Sequence, residues 1–378
     1  MRPLRPFCSA FALKSFDLDL RPGMKYVECE LISDPAFPLR FNFFDLNLLR
    51  FNLLTRTLLL EVCDVNRGEV LLKPTPECVL PLEAEKAPRI IEIGFGNGDF
   101  LVHLAQKRPD ALIYGMEVSY VCIEKALSRI ERLGLTNVRL LCGDARFLIR
   151  ECFPDESVDR IYMSFPCPWP KERHARRRVT SEGFSGTIAS VLKLGGVFEL
   201  ATDEGWYADE AEQILGNHQA LRMADRKLNF RREITTKYES RWLEMGKDIH
   251  HLYIEKTAPW SVDRMVEGSE ADMHVRIAPA VAVDRETLER AASDGTGTCR
   301  GKHGEEGHWA FRGAFSAADG TLLEETICTD AGYEQKFYVK VVVKPECTLV
   351  KLDGVHVPFL TPSVRAAIED LARRIQGR

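Results

Sequence analysis

Between residues 89 and 257, short apolar runs alternate with amphipathic stretches: RIIEIGF, FLVHLAQKR, LIYGMEV, CIEKALSRIERLG, VRLLCG, DRIYMSFP, GFSGTIASVLKLGG, VFELATD, YADEAEQILGNH and HHLYIEK. Strand-length apolar runs separated by helix-period stretches predict βαβ units around a mostly parallel sheet, with ligand sites at the carboxyl ends of the strands. After Pro259 the rhythm changes. An acidic, Ala-rich segment and a flexible run, SDGTGTCRGKHGEEGH, precede HWAFRGAF, TLLEETICT, QKFYVKVVVKP and CTLVKLDG, which alternate like strands with turn signals at Asp319-Gly320 and Ala331-Gly332. SVRAAIEDLARRI, opened by Thr361-Pro362-Ser363, reads as a capped amphipathic helix. Residues 1–86 are apolar and contain prolines, with a strand-like MKYVECELI and a turn at Asn66-Arg67-Gly68. The expected organisation is an N-terminal region of unassigned role (1–86), a Rossmann-like α/β domain (87–258) and a small C-terminal α+β module (259–378).

Composition narrows the classes. With 378 residues there is room for two or three domains, and a formal net charge of −5 means that any nucleic-acid contact must come from a local basic patch. Eleven cysteines without a C-x-x-C pair disfavour both a zinc site and a disulfide framework, and reduced thiols in a cytoplasm are the simplest expectation. The N-terminal apolar run is interrupted by Lys14 and Asp17, too early for a signal peptide, and RFNFFDLNLLRFNLLTRTLLLEV carries Asp45, Arg50 and Arg56, too many charges for a membrane span. No metal and no membrane are expected, and monomer and homodimer both stay open.

The first candidate site is EIGFGNGDF. Glu92 ends a strand, and Gly94, Gly96 and Gly98 fill the turn that starts a helix, so backbone can approach a ligand closely. Position 99 is Asp, so the dinucleotide fingerprint G-x-G-x-x-G fails; the tighter E-x-G-x-G-x-G suits S-adenosylmethionine. Glu117 ends the next strand, where a carboxylate binds ribose hydroxyls, and Asp144 in CGDA follows the third, where it could meet an adenine amino group. A tight turn with ordinary surface acids is the plainer alternative; three signals at successive strand ends outweigh it.

The second is FPCPWPKERHARRR, residues 165–178. Prolines 166, 168 and 170 hold the backbone extended, and Trp169 can stack on a base or pack the loop. Lys171, Arg173, His174, Arg176, Arg177 and Arg178 follow at once, a run suited to RNA phosphates unless it is only a solvated helix face. A further basic zone at 222–242 holds Arg226, Lys227, Arg231 and Arg232 and runs into Thr236-Lys237-Tyr238-Glu239.

EIGFGNG, CGDA, FPCPWPKERHARRR, LATD and TKYE, in that order, resemble the bacterial tRNA (guanine-N7)-methyltransferase family, in the subgroup with an additional C-terminal region. The resemblance spans about 89–257. It implies a class I methyltransferase fold that uses S-adenosylmethionine to methylate N7 of a guanine in the variable loop of tRNA. It assigns cofactor contacts to Glu92, Glu117 and Asp144, and substrate contacts to Lys171, Asp203, Thr236 and Glu239. The family's pattern has an aspartate where this chain has Cys167, and gives that position the catalytic role. Two other readings stay open at this point: a tRNA-binding protein on a methyltransferase scaffold that has lost turnover, and a methyltransferase acting on exocyclic amino groups of DNA.

Overall fold

The computed structural model describes residues 26–28, 40–42, 66–80, 87–170, 178, 182–232, 237–266, 273–317 and 319–377. Residues 1–64 form one unit, in which β1 (Tyr26–Glu28) pairs antiparallel with β2 (Arg40–Asn42). Residues 65–378 form the other.

The second unit opens with α1 (Arg67–Val70) and then builds a seven-stranded sheet from β3 (Arg89–Ile93), β4 (Leu112–Glu117), β5 (Val138–Cys142), β6 (Val158–Ser164), β7 (Leu192–Thr202), β8 (Leu221–Leu228) and β9 (His250–Lys256). Its order is β5-β4-β3-β6-β7-β9-β8, parallel from β5 to β7, with β9 antiparallel to both β7 and β8. Helices α2 (Asp99–Lys107), α3 (Tyr120–Leu133), α4 (Ala145–Cys152), α5 (Glu182–Val191) and α6 (Gly205–Gly216) make the crossovers, and α7 (Lys237–Glu244) precedes β9. This is the class I methyltransferase architecture.

The local reasons are plain in the sequence. All five residues of β3 are buried, as a central strand covered on both faces requires. In α3, Ile123, Ala126, Leu127 and Ile130 share one buried stripe, and Gly134 closes the helix in the left-handed region at φ 62°. Strand order reverses between β3 and β6, and a ligand crevice forms at such a switch point. The glycine turn after β3 and the aromatic loop after β6 therefore become neighbours.

The C-terminal region folds as a six-stranded antiparallel sheet from β10 (His274–Ile277), β11 (Thr296–Arg300), β12 (Glu306–Ser316), β13 (Leu322–Asp330), β14 (Tyr333–Val343) and β15 (Thr348–Leu352), in the order β10-β15-β14-β13-β12-β11. Helices α8 (Arg285–Ala292) and α9 (Pro362–Ile375) cover one face over a core that includes Trp309, Phe337, Val339 and Ile368. Part of the Gly-rich run expected to be flexible is strand β11. Gly297 lies opposite Trp309, whose ring passes 2.1 Å from where a Cβ would stand, so this glycine admits the indole to the core.

The two sheets are joined. Tyr333 at the start of β14 stacks on Phe147 of α4 with centroids 3.7 Å apart, and Phe359 tilts against the same ring at 4.9 Å. The Leu360 amide donates to the Pro76 carbonyl at 2.9 Å, while Leu72, Cys78 and Leu80 pack into the core around the first sheet.

Candidate functional site

Among the described residues, the glycine turn is a bed with open space beside it. Gly94, Gly96 and Gly98 all adopt left-handed φ (68°, 57° and 75°), but a Cβ on Gly94 or Gly96 would meet no atom within 4 Å. Packing does not demand glycine there; backbone conformation does, and the space it leaves suits a ligand. Gly98 has a second reason, because its Cβ would come within 3.0 Å of the Ala126 Cβ and push α2 from α3. Beside this bed Glu92 is 3% exposed, and among the described residues its Oε2 has no hydrogen-bond partner. Burial pushes its carboxyl up to about 8; Arg232 opposes the shift, while Glu117 and Asp99 add to it.

Glu117 holds the turn in shape. Its Oε2 accepts from the Gly96 amide at 3.0 Å, and its Oε1 accepts from the Val118 and Ser119 amides at 2.9 and 3.1 Å. Asp144 caps α4 by accepting from the Arg146 amide at 2.9 Å and pairs with the Arg146 guanidinium at 2.5 Å. Next to Glu117, Val118, Tyr120 and Val121 are exposed, an apolar rim that sequence reading passed over because isolated apolar residues at a helix start carry no signal.

After β6 the aromatic loop is tied to the sheet where the Phe165 amide donates to the Ala201 carbonyl at 2.7 Å. Phe165 and Trp169 are both left-handed, at φ 53° and 45°, a strained conformation for large side chains that clusters at functional sites. Cys167 lies exposed between them. Arg178, the last of the basic run, is turned inward: it donates from Nε and Nη2 to the Trp169 carbonyl at 3.2 Å each and pairs with Glu210 at 2.5 Å. It buttresses the loop. Lys171, Arg173 and Thr236 lie outside the described residues.

Behind the loop sits a buried charge cluster that sequence reading missed. Arg232 donates to the Ser164 hydroxyl at 3.1 Å and to Glu239 at 2.7 Å, lies 3.6 Å from Glu199, and covers the Phe100 ring at 5.1 Å. Arg232 was legible only as one member of a basic zone, since Ser164 is 68 positions away. Glu239 has no exposed surface, and its carboxylate accepts from Arg232. His251, 4.0 Å from Glu239, is held neutral with its pKa pushed down to about 4, first by burial and then by Arg232. Asp203, past the end of β7, accepts from the Lys247 ammonium at 2.5 Å, and that ammonium also lies 4.2 Å above the Trp242 ring.

A family model described as "Putative methyltransferase" matches residues 86–252. The tRNA (guanine-N(7)-)-methyltransferase of Thermotoga maritima is 34% identical over 313 residues, 81% of this chain and 97% of that protein. The chain belongs to the tRNA (guanine-N7)-methyltransferase family. The relatives of the same name from Aquifex aeolicus and Thermus thermophilus are 30% and 33% identical, over 75% and 80% of this chain and 92% and 93% of their own lengths.

The family model ends at residue 252, within β9, whereas the match to the Thermotoga maritima relative takes in 81% of the chain. At the switch point the structure brings together the glycine bed, Glu92, Glu117 and the Ser164–Arg232–Glu239 cluster that roots the aromatic loop. Among the described residues, no group of three or more His, Cys, Asp or Glu could hold a metal ion, and no helix is long and apolar enough to cross a membrane.

Proposed function

We propose that this chain transfers a methyl group from S-adenosylmethionine to N7 of a guanine in tRNA, within the variable loop. The observation that carries the reading is the open glycine bed beside a buried Glu92, whose Oε2 has no hydrogen-bond partner among the described residues, at the switch point next to the strained loop holding Cys167. The residues present fit the cofactor: Glu92 answers an ammonium, Glu117 and Asp144 offer carboxylates to ribose and adenine, and Val118 and Tyr120 give an apolar wall. When bound, S-adenosylmethionine supplies an electrophilic methyl on a sulfonium.

Guanine N7 carries an in-plane lone pair and no proton, so the chain needs no general base there. Its work is to hold N7 in line and to stabilise positive charge growing on the base. The Phe165–Pro170 loop, clamped at its root by Arg232 and at its far end by Arg178, fixes the approach. Asp203 offers a carboxylate to the guanine edge, steered by Lys247. Lys171, Arg173 and Thr236 are assigned to tRNA, with Glu239 positioning Arg232. Cys167 takes the catalytic position without a carboxylate's charge. Removing one such preorganised group costs about 100- to 1000-fold in rate, which still leaves catalysis by positioning.

The exposed thiol at that position also supports a second reading, a tRNA-binding scaffold without turnover. Labelled methyl transfer to unmodified tRNA by the native protein and its Cys167→Asp variant, with nucleosides mapped by mass spectrometry, separates the two. Labelled 7-methylguanosine from the native protein is expected, with a faster rate in the variant. Label from the variant alone would establish the scaffold reading, and label from neither would overturn the proposed reaction.

A further inference from the structure

Among the described residues, no helix packs on one face of the C-terminal sheet. Helices α8 and α9 both pack on the face that carries Trp309, Ala314, Leu322, Phe337, Val341 and Val350. Alternation sends the other side chains outward, and pair registers align them in rows. One row runs His274, Lys351, Lys340, Leu323, Phe315 across β10, β15, β14, β13 and β12. Lys340 and Lys351 are thus direct cross-strand neighbours, with His274 next to them. Like charges directly opposite one another destabilise a sheet. An arrangement that costs stability in the free protein points to a partner that repays it.

The rest of this face agrees. Arg276, Arg300, Lys336, Lys340 and Lys351 lie on it, against the glutamates Glu306, Glu325 and Glu334, whereas the chain as a whole is at −5. One of those glutamates, Glu325, is paired with Lys336. At the β12 end of that row Phe315, 49% exposed, meets Tyr338 edge to face at 6.2 Å. Basic side chains around exposed aromatics on an open sheet suit RNA, with phosphates taking the lysines and arginines and an unstacked base taking a ring.

We infer that the open face of the C-terminal sheet is a second tRNA-contact surface, one that holds the body of the same tRNA whose guanine enters the site after β6. This rests on the methylation proposed above. It gives the C-terminal module a share in substrate affinity, and none in methyl transfer.

The test is a tRNA titration at several salt concentrations with the full-length protein and its triple variant Lys336→Glu, Lys340→Glu, Lys351→Glu, none of which touches the catalytic machinery. Affinity should fall at least about tenfold, and the slope of log affinity against log salt should shrink by about two to three, because each phosphate contact adds about one. Cofactor affinity and kcat at saturating tRNA should stay unchanged while KM rises. The milder Lys340→Gln, Lys351→Gln variant guards against misfolding: it should weaken tRNA binding and also raise Tm by relieving the repulsion. Unchanged affinity and salt slope in either folded variant overturns the inference, as does a native dimer that dissociates in the triple variant, which would make the face a contact between copies. A native protein that binds no tRNA fails the parent reading instead, recognisable because no 7-methylguanosine forms.

Discussion

Burying a carboxylate costs more than a distant cation returns, and Glu92 is buried with one oxygen unpartnered among the described residues and only Arg232 opposing the burial. Its folded pKa of about 8 lies above the ordinary 4.5, so between those values the folded protein binds more protons than the unfolded chain and stability falls as pH rises. Glu92→Gln should therefore raise Tm, with the gap over the native protein widening from pH 5 to pH 8.5 in calorimetry. The same variant should bind S-adenosylmethionine more weakly. For the native protein, cofactor affinity should tighten as pH rises from 6 to 8, since a cation arriving beside a neutral Glu92 must displace a proton; a flat profile in titration calorimetry would refute that coupling. Arg232 is the opposite case, a buried cation already answered by Glu239 and Glu199. Arg232→Met leaves those carboxylates uncompensated and should cost about 3–5 kcal/mol, read from denaturant unfolding. Arg232→Lys keeps the charge but cannot reach Ser164 and Glu239 together, so a loss mainly in kcat, with Tm largely retained, would mark Arg232 as positioning the loop.

At the scale of elements, the turn after β3 separates two reasons for glycine. Gly94→Ala meets no neighbour and should cost about 1–2 kcal/mol for its left-handed backbone, with a larger effect on cofactor affinity than on folding. Gly98→Ala adds the 3.0 Å approach to Ala126 and should destabilise more, with α2 and α3 forced apart. Paired melting curves and cofactor titrations of the two variants check this ordering. Most of the first sheet's elements were legible, because strand-length apolar runs and helix-period stretches are local patterns. The Gly-rich start of β11 was not, because Gly297 is explained by the indole of Trp309, and a ring arriving from the neighbouring strand leaves no local trace.

For the molecule as a whole, the C-terminal module is fastened to the first sheet through Tyr333, Phe147 and Phe359. Phe147 sits on the helix that Asp144 caps, so the fastening reaches the cofactor side of the fold. Tyr333→Ala removes a stacked, half-buried ring and should cost about 3 kcal/mol, within the range for large aromatic truncations. Its cofactor affinity should fall further than that of a surface control on β14, as Asp144 loses a rigid neighbour; equal affinities would confine the module's effect to stability.

By itself the sequence determined the α/β class, the methyltransferase-type glycine turn, the acids at successive strand ends and the resemblance to a tRNA-modifying family. Each of these is written in residues close together along the chain. Only the tertiary structure decided that Arg178 and Glu239 face inward, that Arg232 joins Ser164 to Glu239, and that Lys340 stands opposite Lys351 on the sheet face away from α8 and α9. The physical reason is the same each time. Whether a charge faces water, a partner or the core depends on which distant strand lies beside it, and that is set by strand order and register, which no local pattern contains.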